Sequence, residues 1–328
     1  MTSLLSRIGR QALTAEVSRE LSSRCGWTPG CAIAVGCSGG VDSCVLLAAC
    51  AAISRRRSSR GRVVAVHVHH HLRPDADADA AHVATLAGEL GIAFVRRDVY
   101  PKRRGRGLAD DARELRHAAL LDAAREAGTS HIALAHHADD RLETLLMHLG
   151  RGTGLRGLGS IPWSRPAARG SGVRIVRPML GLTRADIEAC ARSVGMAWQE
   201  DPGNADPATA RGLLRTQVIP ALRARWPKIA QRASSAADGA RAGLRAGREW
   251  SCVQAAGAPP TRTMLRAAGP DLGCLAIDAW LRDHGVRATW MQIARIARAS
   301  VDDAVEPRTY PAGGVRVAVR ARGLSLEV

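Results

Sequence analysis

The chain has 328 residues, more than one typical small domain holds, and its length points to two. Hydrophobic residues make up 46% of it, which excludes wholesale disorder, and no apolar run approaches the ~20 residues that span a bilayer. The net charge is +17, carried by 47 basic residues of which only Lys102 and Lys228 are lysine. Such an excess attracts a polyanion, nucleic acid before anionic membrane. It also fits an Ala-, Arg- and Gly-rich composition with arginines on solvated faces, and composition alone leaves both readings open.

The first 20 residues carry Glu16 and Glu20 and no signal-peptide core, so the chain is expected in the cytoplasm. Residues 1–24 show helical spacing (Leu4, Leu5, Ile8, Ala12). Cys31 to Gly36 is a short apolar run that reads as a buried strand. Eight cysteines lie at 25, 31, 37, 44, 50, 190, 252 and 274 without any C-x-x-C. That pattern reads as reduced thiols, mostly core residues, and removes the commonest zinc and iron–sulfur spacings.

After the first strand comes Ser38-Gly39-Gly40-Val41-Asp42-Ser43. Two adjacent glycines let backbone N–H groups approach an anion, and the helix read over Val41 to Ile53 adds the positive potential of its N-terminus. Ser38 and Ser43 add hydroxyl donors, and Asp42 favours phosphate only through a bridging cation, which points to Mg2+. No Walker sequence G-x-x-x-x-G-K-[ST] is present.

Arg62 to Val68 reads as a second strand, closed by His67-Val-His-His-His-Leu-Arg73. Three consecutive histidines invite a metal, but neighbours on an extended chain point opposite ways, so one ion is hard to share. A helix over Asp75 to Leu90, a strand over Ile92 to Val99 and a helix over Leu108 to Glu126 follow, each helix closed by a glycine. Lys102 to Gly107 between them reads as a basic loop. Arg113 and Arg116 share one face of the last helix.

His131 to Ala135 reads as the fourth strand and Ala138 to Leu149 as its helix, joined through Ala135-His-His-Ala-Asp-Asp-Arg-Leu-Glu-Thr144. Asp140 and Glu143 lie three apart on one helix side and suit a cation, an ammonium group or base catalysis, although a helix N-terminus also attracts acids. Arg151-Gly-Thr-Gly-Leu-Arg-Gly-Leu-Gly159 is a cationic glycine-rich loop, and Arg165 to Gly172 reads as another loop. Val173 to Val176 reads as a strand and Thr183 to Gly195 as a helix with Thr183 as N-cap. Alternating strands and helices predict an α/β fold, a parallel sheet with helices on both faces whose ligands bind at the strands' carboxyl ends.

From Val218 strand signals cease until the end. Residues 218–257 read as helical, and Leu275 to His284 and Trp290 to Ala299 as further helices. Gly314 to Arg320 and Leu324 to Val328 read as a terminal hairpin. Residues 218–328 hold 17 basic against 9 acidic residues, about twice the excess per residue of the preceding part. The division expected is 1–217, a helical linker 218–257 and a small, mostly helical α+β domain 258–328.

The Ser38–Ser43 string resembles the PP-loop of the N-type ATP pyrophosphatases, which use ATP to adenylate a substrate and release pyrophosphate. The later segments are similar to the tRNA(Ile)-lysidine synthetases within that group, specifically over about residues 30–220 and loosely over 258–328, in a short form. Departures are His69 for Asn, His71 for Gly, His117 for Tyr, Gly203 for Ser or Thr within Glu200-Asp-Pro-Gly-Asn204, and Gly212 for Asn in Arg211-Gly-Leu-Leu-Arg215.

The resemblance implies ATP and pyrophosphate on Ser38, Gly39, Gly40, Val41, Asp42, Ser43, His67, His136 and Gly152, with Mg2+ at Asp42. It implies Arg113 toward the phosphates, lysine on Asp140 and Glu143, and tRNA or substrate contacts at Arg151, Arg211 and Arg215. The implied reaction joins free lysine to C2 of the wobble cytidine in an isoleucine tRNA with a CAU anticodon, through an adenylated tRNA. The basic C-terminal domain would bind tRNA phosphates, with Trp163, Trp198 and Trp226 as candidate stacking platforms. A homodimer and no membrane partner are further implications. The rivals are a tRNA 2-thiolation enzyme on the same fold, whose cluster-dependent type needs the missing C-x-x-C, an inactive nucleotide-responsive RNA-binding protein, and an amidotransferase-type synthetase acting on small molecules.

Overall fold

The structure is a computed structural model, and it describes residues 3–28, 30–56, 61–72, 76–102, 107–199, 207–255, 259–302 and 307–327. Arg73, the middle of the basic loop (103–106) and the 200–204 segment with Gly203 lie outside these residues. The chain divides into two compact units, Met1–Glu143 with Ile161–Ser234, and Thr144–Ser160 with Ser235–Val328. This division is discontinuous, whereas composition suggested the consecutive segments 1–217, 218–257 and 258–328. Composition marks where strands stop; it does not mark which helix packs on which core.

In the first unit, helices α1 (Leu4–Gly9) and α2 (Ala12–Ser23) precede β1 (Ile33–Gly36) and α3 (Val41–Arg56). Then come β2 (Val63–His69), α4 (Ala76–Leu90), β3 (Ala93–Asp98), α5 (Leu108–Glu126) and β4 (His131–Ala133). The boundary between units falls within α6 (Ala138–Gly150), and α7 (Leu155–Leu158) belongs to the second unit. The first unit resumes with β5 (Ser164–Pro166), β6 (Arg174–Val176), α8 (Arg184–Ser193) and α9 (Ala210–Leu213). A π-turn over Leu214–Val218 leads into α10 (Ile219–Arg225).

The sheet order is β3-β2-β1-β4-β6-β5, parallel throughout except for β5 against β6. Residues alternate between its faces, as the two-residue period of a strand requires. Ile33 and Val35 join Leu46, Leu47 and Val83 in one core, while Ala34 joins Leu120, Ile132 and Ile175 in the other. Helix α3 is apolar on nearly every side because it is almost wholly buried. Thr183 caps α8 as its sequence implied, in a reciprocal capping box with Asp186. Cys25, Cys37, Cys44, Cys50, Cys190 and Cys274 are buried free thiols and Cys31 is exposed.

The second unit holds most of α11 (Ile229–Ala255), with α12 (Arg262–Asp283), α13 (Trp290–Val301) and an antiparallel sheet β7-β8-β9 (Arg308–Ala312, Val315–Val319, Leu324–Glu327). Ile277, Trp280, Ile293, Ile296 and Val317 form its core. Trp163 and Trp198 are partly buried and pack against the first unit's core; Trp226 is exposed. No helix among the described residues is long and apolar enough to cross a membrane.

Arg141 is fully buried in the first unit. Its Nε donates to the Ile161 carbonyl at 2.9 Å, and Nη1 donates to the Ser234 carbonyl at 3.1 Å and to Ser234 Oγ at 2.7 Å. The Ser234 hydroxyl donates in turn to the Leu180 carbonyl at 2.8 Å. An apolar side chain at 141 strands two buried carbonyls. Arg141→Leu is expected to lower the unfolding free energy in urea by about 2–4 kcal/mol, and Ser234→Ala by about 1 kcal/mol.

Candidate active site

Strand β1 is central, and the chain order reverses between its neighbours β2 and β4. This is the switch point at which parallel sheets leave a crevice at the strands' carboxyl ends. Two segments meet there, the Ser38–Gly40 turn after β1 and the Ala135–Ala138 turn after β4.

The first turn is held from inside. The Ser38 N–H donates to Ser43 Oγ at 3.1 Å, and that hydroxyl donates to the Gly40 carbonyl at 2.9 Å. Gly39 has φ +95°, a left-handed conformation that favours glycine. Gln199 N–H donates to the Gly39 carbonyl at 3.0 Å. His67, buried at the end of β2, donates from Nδ1 to the Cys37 carbonyl at 3.0 Å, and burial holds its pKa below the usual imidazole value. Val41 is a core side chain, so only its backbone serves the turn.

The second turn brings acids to the first. His137 is buried, with Nδ1 3.3 Å from Asp139 and Nε2 3.5 Å from Asp140 and 3.8 Å from Asp42. Burial works against a charged ring, but Asp140, Asp139 and Asp42 overcome it and raise the His137 pKa to about 9. Burial raises the Asp42 pKa, which His137 and Arg184 partly offset. Arg184 Nη1 reaches Asp42 Oδ2 at 3.3 Å, while buried Asp42 Oδ1 accepts no hydrogen bond among the described residues. A buried carboxylate oxygen without a donor suits a hard cation, so Mg2+ fits this residue.

Asp140 and Glu143 do share one side of α6. Arg215 spans both, Nε on Glu143 at 2.5 Å and Nη2 on Asp140 at 3.2 Å, and Arg211 Nε adds a 3.1 Å contact to Glu143. Arg215 lies in the π-turn, a local widening often found at functional sites. The two acids have opposite tendencies. Burial opposes charge on Asp140, but the charge of His137, the His137 N–H and Arg215 hold its pKa below the ordinary range. Burial raises that of Glu143 above it, with Arg215 only partly compensating. Asp139 is structural: it accepts the Arg184 N–H at 2.7 Å and pairs with Arg223, and its pKa is held down at about 2 by His137 and Arg184 against burial.

His136 faces cations. Arg177 Nε donates to its Nδ1 at 3.3 Å. Burial first, then Arg177, Arg116 and Arg113, outweigh Asp140 and push its pKa down to about 3. His70 and His117 are each pushed down to about 4 by burial, with Arg116 acting on both and Arg165 on His117. Buried Arg116 Nε has no hydrogen-bond partner among the described residues. Arginines 113, 116, 165 and 177 thus act on neutral histidines, a basin that an oligoanion would neutralise.

Arg113, chosen from sequence, is exposed; Arg116 on the same face is the more buried of the two. Arg151 and Gly152 belong to the second unit, in the turn after α6. Sequence reasoning passed over His137, Arg165 and Arg184. His137 stands beside His136 in the same string, and only the fold tells the cationic ring from the neutral one.

The PP-loop domain family matches residues 13–222. The chain belongs to the PP-loop family. It is 45% identical over 204 residues to the tRNA(Ile)-lysidine synthase of Xanthomonas campestris pv. campestris, covering 62% of this chain and 45% of that protein. The enzyme of the same name from Ralstonia nicotianae is 40% identical over 263 residues, 78% of this chain and 55% of that one. That from Methylococcus capsulatus is 34% identical over 295 residues, 88% and 66%. The chain therefore spans about half the length of the first two. Among solved structures, the U34-tRNA thiolase NcsA of Methanococcus maripaludis with its [4Fe-4S] cluster matches at TM-score 0.56 and 15% identity, over 70% of this chain and 80% of that one. That likeness is one of fold alone.

A charged hydrogen bond to an anion contributes about 1.5–3 kcal/mol. Arg116→Ala is therefore expected to weaken pyrophosphate binding tenfold or more by calorimetry, and exposed Arg113→Ala to weaken it less.

Proposed function

We propose that this PP-loop protein joins free lysine to C2 of the wobble cytidine of an isoleucine tRNA with a CAU anticodon, through an adenylated tRNA. The observation that carries the reading is the pair of acids Asp140 and Glu143, with opposite pKa tendencies, beside a glycine turn and an arginine basin.

ATP lies with its phosphates on Ser38 to Ser43, near His136 and His67. Mg2+ on Asp42 would supply charge neutralisation for the phosphates. The C2 oxygen of the cytidine attacks the α-phosphate, the α–β bridging bond breaks, and pyrophosphate leaves toward the N–H groups of the turn and Arg113 and Arg116. The lysine ε-amine then attacks C2 and AMP departs with the C2 oxygen. Asp140, kept ionised, anchors the ammonium group. Glu143, the more basic carboxylate, accepts the proton that the amine must lose. The lysine ammonium would share or replace the guanidinium of Arg215 on these acids.

Arg151, Gly152, Arg211 and Arg215 are proposed contacts to tRNA or adenylate, and the basic 258–328 segment a tRNA phosphate contact. The names of the relatives and the +17 charge support tRNA as substrate. The thiolation alternative has only the shared fold in its favour.

The test is incorporation of labelled lysine into the CAU isoleucine transcript with Mg-ATP, pyrophosphate release being followed in parallel. Wild type is expected to incorporate lysine. Glu143→Gln should still release pyrophosphate with tRNA but lose about a hundredfold in lysine transfer. Asp140→Asn should chiefly raise the KM for lysine. Pyrophosphate release by wild type without lysine in the RNA contradicts the reading and favours thiolation; no pyrophosphate release at all leaves an RNA-binding protein.

A further inference from the structure

The end of β2 carries a second histidine cluster that the reaction above leaves unused. Strand β2 ends at His69, and the chain turns at His71 with φ +53°, which brings the His71 ring to 4.0 Å from the His69 ring, centroid to centroid. His69 is paired in register with Asp98 on β3. His71 Nε2 is 2.8 Å from Asp98 Oδ1, and His69 Nδ1 is 3.9 Å from the same oxygen. The objection that neighbouring histidines cannot share an ion holds for 70 but not for residues two apart joined by a carboxylate from the next strand.

We propose that His69, His71 and Asp98 form a binding site for a divalent transition metal such as Zn2+, Co2+ or Ni2+. The three ligand atoms lie within 4.8 Å of one another. A tetrahedral ion with bonds of about 2.0–2.1 Å wants its ligand atoms about 3.3 Å apart, and the observed 2.8 and 3.9 Å bracket that value. Two imidazoles select against Mg2+, so the site is chemically distinct from Asp42.

Three observations favour a ligand here. First, the His69 ring is 3% exposed, and among the described residues its Nε2 has only the 3.4 Å approach of Asp77 and no hydrogen bond. Second, the His71 N–H donates to His69 Nδ1 at 3.3 Å, so the lone pair lies on Nδ1, the atom facing Asp98, and a bound ion would take it over from that N–H. The proton is then on Nε2, 3.4 Å from Asp77, the carboxylate–histidine arrangement that commonly backs a metal ligand. Third, His71 has φ +53°, where an L side chain is strained, and its ring is stacked on Tyr100 at 4.5 Å. Strain at a non-glycine residue persists where something else fixes it. Arg96 now neutralises both acids, donating to Asp98 at 2.9 and 3.1 Å and to Asp77 at 2.9 Å. A bound cation would take its place on Asp98 and leave it on Asp77.

The test is Co2+ titration of the full chain, freed of any purification tag, followed by visible ligand-field bands and repeated with Zn2+ competition. One equivalent is expected to bind, and Zn2+ to displace it. His71→Gly relieves the left-handed strain, so it should fold at least as stably while binding Co2+ at least tenfold more weakly. Asp98→Asn should do likewise, and Asp77→Asn should weaken binding about tenfold. Absence of a one-equivalent site in the wild type overturns the proposal. So does equal affinity in wild type, His71→Gly and Asp98→Asn, which marks adventitious binding elsewhere.

Discussion

Asp42, Asp139 and Asp140 converge at the carboxyl ends of β1 and β4, and one buried imidazolium stands between them. Without His137 charged, three acids would face one another in a poorly solvated crevice, which burial makes costly. With it charged, Asp139 and Asp140 stay ionised, the first binding the start of α8 and the second facing Arg215. The sign of the linkage follows. A histidine raised from about 6.5 to about 9 stabilises the fold fully below pH 6.5, and that contribution is lost as pH rises through about 9.

The rest of the crevice is arranged around that balance. On one side of His137 the acids accept cations, from Arg184 at Asp42 to Arg211 and Arg215 at Glu143. On the other, His136 stays neutral among arginines. A negative half and a positive half thus adjoin on consecutive residues of one turn. Such a division suits a reaction that must hold an oligophosphate and an ammonium group within one site. Arg211 in α9 and Arg215 in the π-turn are four residues apart, and both reach the same glutamate.

Much of this was legible in the sequence because local chemistry and global packing agree there. The Ser38–Ser43 string needs its glycines for the turn, and Gly39 takes the left-handed conformation. Thr183 reads as the N-cap of α8 and is one, within a capping box that adds Asp186. The misses have physical causes. Strand β5 has three residues and pairs antiparallel with β6, too short a run for any periodicity. Strand β7 contains Pro311, which argues against a central strand; it is tolerated because β7 lies at the sheet's edge. Helix α12 begins at Arg262, well before Leu275, and consists of two helices joined at Gly269, whose φ of +74° is not helical. The roles of His136 and His137 were not separable from sequence, because both are buried histidines in one string and only their neighbours differ.

The most direct measurement is an NMR titration of the His137 ring in 15N-labelled protein without nucleotide, assigned through His137→Gln. The account predicts a ring that remains charged at pH 7.5 and titrates near pH 9. A His137 ring that is neutral at pH 7.5, titrating at or below the ordinary 6.5, would contradict it. The acids at the crevice would then owe their ionisation to the arginines alone.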